Sequence, residues 1–133
     1  MSHQIFVNLP VTDLKRSMEF YAAIGFTNNP DFTDDKAACM VLSEHIFVML
    51  LSQPRFKDFT NKEIADTKKL VAVINCLSMD SPEAMNAMAN KAIAAGGHEY
   101  APAKDLGFMQ QRCFEDPDGH NWEVVYMNMN AQD

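Results

Sequence analysis

Ile5-Phe6-Val7-Asn8-Leu9-Pro10-Val11 runs through Thr12-Asp13 into Leu14-Lys15-Arg16-Ser17-Met18-Glu19-Phe20-Tyr21. The first seven residues are a short, mainly apolar run. Leu14, Met18, Tyr21 and Ile24 then recur near one face of a helical period, so the stretch predicts a strand feeding a helix. Asp13 is placed to cap that helix by accepting from the free N–H groups of its first turn, and Gly25 supplies the stop because it tolerates positive φ. Three more strands are expected, a weak one over 26–32, then 37–42 and 45–51, with Ser43-Glu44 as the turn between the last two. The unit reads β-α-β-β-β.

The same order returns further along. A strand over 70–79 precedes Asp80-Ser81-Pro82-Glu83, which supplies a cap, a first-turn proline and an acidic first turn. The helix that follows carries Met85, Met88, Ala89, Ala92 and Ile93 on its apolar side, and Gly96-Gly97 ends it. A weak strand over 98–101, a loop over 104–107, a strand over 108–114, the turn Asp116-Pro117-Asp118-Gly119 and a last strand over 121–127 complete the second unit. Module one is therefore about residues 4–52 and module two about 70–128. The polar stretch 53–69 between them is a connector, read as able to fold over a site. A repeat of about 65 residues present twice does not suit a solenoid, which stacks three or more units; two copies pairing around a shared site fit better.

The bulk properties narrow the function classes. With 133 residues, 47% of them hydrophobic and 22% charged, the chain fits a single soluble globular domain. A net charge of −7 with no Lys/Arg cluster excludes nucleic acid and anionic membrane as expected partners. The longest apolar run, residues 46–51, is far below the ~20 residues that span a bilayer. Cys39, Cys76 and Cys113 are an odd set without a C-x-x-C pair and read as buried free thiols, and the first ten residues show no export signal; both features predict a cytoplasmic protein.

Taken together, Val11-Thr12-Asp13-Leu14-x-x-Ser17-x-x-Phe20-Tyr21 at one end and Glu115-Asp116-Pro117-Asp118-Gly119-His120-x-x-Glu123 at the other, around a twice-used βαβββ unit, resemble the vicinal oxygen chelate superfamily of glyoxalases, bleomycin-resistance proteins and dioxygenases. The resemblance spans nearly the whole chain. It implies an α+β fold in which two βαβββ modules form an open, incomplete eight-stranded barrel with a concave groove for a small ligand, commonly in a homodimer. In metal-using members four inward positions, one in the first and one in the last strand of each module, hold a divalent cation.

Carried over, those positions fall at Phe6, Met49, Ile74 and Glu123. Phenylalanine and isoleucine offer no donor and a thioether is too soft for an oxygen-rich site, so only Glu123 retains a ligand type. A metal site needs about three protein ligands. No cofactor is therefore expected, and a divalent metal fits only with non-standard ligands. His120, three residues from Glu123, falls on the opposite face by strand alternation and reads as a turn or partner contact. His45 and Glu44 read as a solvated tip.

By the carried-over positions and period-two alternation, the groove is lined by Phe6, Asn8, Met49, Ile74, Cys76 and Val125, with Glu123 as the candidate catalytic base or anchor. The leading expectation is a glyoxalase-like protein without the standard metal ligands that binds a small organic molecule, with transformation of that molecule left open; an enzyme of this kind would be a lactoylglutathione-lyase-like lyase or isomerase. The alternatives are a metal-dependent lyase or dioxygenase with relocated ligands, a metal-free dimeric antibiotic-sequestering protein, and a dimeric module whose inner face is solid core, with Phe6, Met49 and Ile74 as packing. A carboxylate among apolar neighbours requires a partner, for which Arg112 is the candidate.

Overall fold

A computed structural model describes residues 3–128. The chain divides into two compact units, Met1–Asp66 and Thr67–Asp133. Each contains one four-stranded sheet and one long helix.

In the first unit β1 (Ile5–Val11) leads into α1 (Leu14–Ala23), followed by β2 (Thr27–Asn29), β3 (Ala37–Val41) and β4 (Ile46–Ser52). The sheet order is β1-β4-β3-β2, with β1 parallel to β4 and the remaining pairs antiparallel. Both expected ends of α1 are present. The Asp13 carboxylate accepts from the Arg16 amide at 3.0 Å. At the other end Gly25 takes φ +116°, the Phe26 amide donates to the Tyr21 carbonyl, the Gly25 amide donates to that of Ala22, and the Phe26 ring meets the Tyr21 ring edge-on. That combination is a Schellman cap with its accompanying hydrophobic contact. The helix buries Ser17, Phe20 and Tyr21, while Ala38, Met40, Val48 and Leu50 are fully buried along alternating positions of β3 and β4. One face of the sheet is thereby committed to the core.

A short helix α2 (Gln53–Phe56) and a 3-10 turn (Lys57–Phe59) give structure to what reads as connector. The second unit then repeats the first: β5 (Ile74–Met79), α3 (Pro82–Ala94), β6 (His98–Asp105), β7 (Met109–Glu115) and β8 (Asn121–Met127), in the order β5-β8-β7-β6 with β5 parallel to β8. Ser81 caps α3 by accepting from the Ala84 amide, with Pro82 in the first turn. The Gly97 amide closes the helix on the Ala92 carbonyl. Met85, Met88, Ala89 and Ala92 are buried on this helix, and Trp122, Val124 and Phe114 on the sheet.

Three expected strands need correction. The strand predicted from residue 70 starts at Ile74, because Asn121, the first residue of β8, pairs with Ile74 and leaves 70–73 without a ladder partner; Leu70, Val71 and Val73 are exposed. The weak strand over 98–101 continues to Asp105, since Lys104 and Asp105 pair with Gln111 and Gln110 beyond two register shifts. The strand over 26–32 shrinks to three residues because Pro30 opens a 3-10 turn.

Candidate functional site

In each sheet the face away from the helix carries the residues of interest. On the second sheet one register row runs Cys76, Glu123, Cys113 across β5, β8 and β7, flanked by Ile74 and Asn121 on one side and Ser78, Val125 and Gln111 on the other. Ile74, Cys76, Glu123 and Val125 therefore share one face by strand alternation. Ile74 is 47% exposed and Val125 is buried.

Glu123 is half-buried. Its Oε2 accepts from Gln111 Nε2 at 3.2 Å, and the same amide nitrogen lies 3.4 Å from Cys113 Sγ. The Cys76 thiol also donates to the carboxylate; burial and the negative charge of Glu123 hold that thiol above its ordinary pKa. Tyr100, on the edge strand β6, donates to the Trp122 carbonyl at 3.3 Å and lies in hydrogen-bonding reach of Cys113 and Asn121. Burial, with Cys113 and Glu123 nearby, pushes its phenol up to about 12. Cys76 and Tyr100 are therefore neutral donors near neutral pH.

Arg112 is not the partner of Glu123. It follows Gln111 in β7 and so points to the helix side, where its Nε donates to Glu99 at 3.0 Å and one terminal nitrogen donates to Asn86 and Asn90 on α3. Nor are all three cysteines buried: Cys39 and Cys113 are, but Cys76 is exposed. It lies on β5, the edge strand that pairs on one side with β8, on the face of the sheet away from α3.

The turn before β8 fixes where Glu123 starts. Buried Asp116 accepts from the Asp118 and His120 amides, and Thr67 Oγ1 donates to the Asp118 carbonyl at 2.6 Å. Gly119, at φ +89°, is pressed against the backbone of Thr67 and Lys68. His120 is buried in this turn, ahead of the strand. His45 is partly exposed beside an exposed Glu44 carboxylate at 3.3 Å.

On the first sheet Phe6, Asn8, Phe47 and Met49 share the face opposite α1. Phe6 stacks on Phe47 with ring centroids 4.4 Å apart and planes within 9°, and Phe6 stays 48% exposed. Phe6 and Ile74 are thus half-exposed rather than filling a solid core. A hollow of about 630 Å³ lies elsewhere in this unit, among Gln53, Pro54, Lys57, Glu63 and Ile64, and contains none of the candidate residues.

The donor set does not fit the divalent metal that the fold implies. Phe6 and Ile74 have no donor atom, and among the described residues no group of three or more His, Cys, Asp or Glu is arranged to hold an ion. Sequence reading missed Gln111 and Tyr100. Gln111 was reachable by period two from Cys113, whereas Tyr100 lies within a register shift that simple alternation cannot follow.

Residues 4–43 match the Bleomycin resistance protein-like N-terminal family. Among solved structures, a hypothetical protein, SA1046, of S. aureus superposes with a TM-score of 0.78 at 24% identity over 95% of this chain and 94% of its own. A glyoxalase/bleomycin resistance protein/dioxygenase family enzyme from Burkholderia phytofirmans PsJN gives 0.77 at 14% identity, covering 95% of this chain and 99% of its own. The genomically encoded fosfomycin resistance protein FosX from Listeria monocytogenes gives 0.69 at 15%, covering 100% and 99%. No curated protein matches the chain in sequence. The two βαβββ modules are those of the vicinal oxygen chelate fold. Within that fold, the first module carries the bleomycin-resistance-like N-terminal signature.

Proposed function

We propose that this chain binds a small organic molecule on the helix-free face of its second module, with Glu123 as the polar anchor and without a divalent metal. The observation that carries the reading is the setting of Glu123: a half-buried carboxylate held by Gln111 and Cys76, with apolar Ile74 and Val125 on the same face. An apolar surface with a few convergent polar groups is the usual form of a small-molecule site. The stacked Phe6–Phe47 pair, with Asn8 and Met49, offers the first module a similar aromatic surface. If the bound molecule is transformed, Glu123 is placed to take up a proton, since Cys76 and Tyr100 are held in their neutral forms. A homodimer is the assembly that the bleomycin-resistance-like match favours, and sedimentation equilibrium tests it.

A thermal-shift screen of small organic molecules, run on wild type and Glu123→Gln in chelator-treated buffer, tests the binding reading. A ligand that raises the melting temperature of wild type and loses most of that effect in the variant supports it. Ligands that act only after a divalent metal is restored would sink it.

A further inference from the structure

Resting on that reading, we infer that the ligand of the Glu123 site is an organic cation, an amine or related nitrogen base attached to an apolar body. Glu123 is half-buried, and every group hydrogen-bonded to it is neutral: the Gln111 amide and the Cys76 thiol. The nearest cation along β7, Arg112, points to the helix side and is taken by Glu99, Asn86 and Asn90. Lys104, opposite Gln111 on the edge strand, is exposed and makes no ion pair with Glu123. The remaining charged side chain of the sheet strands on this face is Glu115, with His98 opposite it.

A carboxylate taken partly out of water and given neutral donors alone keeps its charge uncompensated. Its field reaches its neighbours: the Cys76 thiol and the Tyr100 phenol are both pushed upward in part by Glu123. A ligand cation placed there gains a charge-assisted hydrogen bond that a neutral analogue cannot match and an anion would oppose. Half-exposed Ile74 beside it, together with the uncharged Cys76, provides contact for the apolar body.

Cys76 gives the experiment its reporter, being exposed while Cys39 and Cys113 are buried. Benzylamine, benzyl alcohol and benzoate present one ring with a positive, neutral or negative head. Their ability to slow alkylation of Cys76 by iodoacetamide in the native protein is measured by mass spectrometry over a concentration series. Benzylamine is expected to halve the rate at a concentration about tenfold below that of benzyl alcohol, a difference of about 1.4 kcal/mol, with benzoate weakest. In Glu123→Gln the preference should vanish while benzyl alcohol still protects; the wild-type series stands without the variant should that variant fail to fold. Equal protection by benzyl alcohol and benzylamine overturns the cation assignment alone. Failure of all three to protect Cys76 overturns the binding site on this face, and the cation assignment with it.

Discussion

The Gln111 amide nitrogen stands 3.2 Å from Glu123 Oε2 although the two residues are not paired in register: Gln111 lies opposite Val125, and Glu123 opposite Cys113. The contact is a diagonal one between antiparallel neighbours, within reach of a long side chain. It holds one carboxylate oxygen and so fixes the direction of the other. Gln111→Leu removes a donor from a half-buried charge, for which the net loss is about 1–2 kcal/mol. Urea unfolding should show that loss, and Gln111→Glu, which sets a second carboxylate beside the first, should cost more.

Thiol counting tests the exposure of the second sheet's free face. Native protein should react with one thiol per chain and denatured protein with three, since only Cys76 of the three cysteines is exposed. The thiolate is the reacting form, and burial, together with the charge of Glu123, holds the Cys76 thiol upward. Glu123→Gln should therefore speed alkylation several-fold at a fixed pH near 8. Unchanged kinetics would mean that the two side chains do not sense each other.

The repeat was legible because helix punctuation is local chemistry. Asp13 and Ser81 cap as their side chains dictate, and Gly25 and Gly96 take the positive φ that ends each helix. Facing was legible where a strand is regular, as along β8, whose alternation put Glu123 and Val125 on one side. What escaped depended on partners in other strands. The start of β5 is set by where β8 begins, so the apolar residues 70–73 looked like strand and are not. Arg112 looked like the counter-charge for Glu123, but alternation turns it toward α3, whose Asn86 and Asn90 gave no sign in the sequence of being its acceptors. Tyr100 reaches the site through irregular pairing of β6 with β7.

Two glycines separate backbone strain from steric contact. Gly25 and Gly119 both have positive φ, but a Cβ on Gly25 meets open space, whereas one on Gly119 collides with the backbone of Thr67 and Lys68. Gly25→Ala should cost about 1–2 kcal/mol, the penalty of the left-handed conformation alone. Gly119→Ala should cost about 2–4 kcal/mol, because the colliding atoms are main chain and cannot rotate away. Denaturant unfolding of the two variants checks the difference. Near-equal losses would show that the Thr67–Asp118 contact yields easily, and with it the turn that starts β8.

Tyr100 supplies a test at alkaline pH. Its phenol is pushed up to about 12 in the folded chain, chiefly by burial, against about 10 for an unfolded tyrosine. Below pH about 10 the phenol is protonated in both states and linkage costs nothing. Between about 10 and 12 the unfolded chain loses its proton while the folded chain keeps it, so stability falls as pH rises through that window. Cys76 shifts in the same direction and adds to the fall. Tyr100→Phe removes the hydroxyl bonded to the Trp122 carbonyl, so the variant should start about 1 kcal/mol less stable at neutral pH. It should then lose less as pH rises, and the two stability curves should converge. Parallel curves would place the Tyr100 hydroxyl in water and remove it from the polar cluster around Glu123 and Cys113.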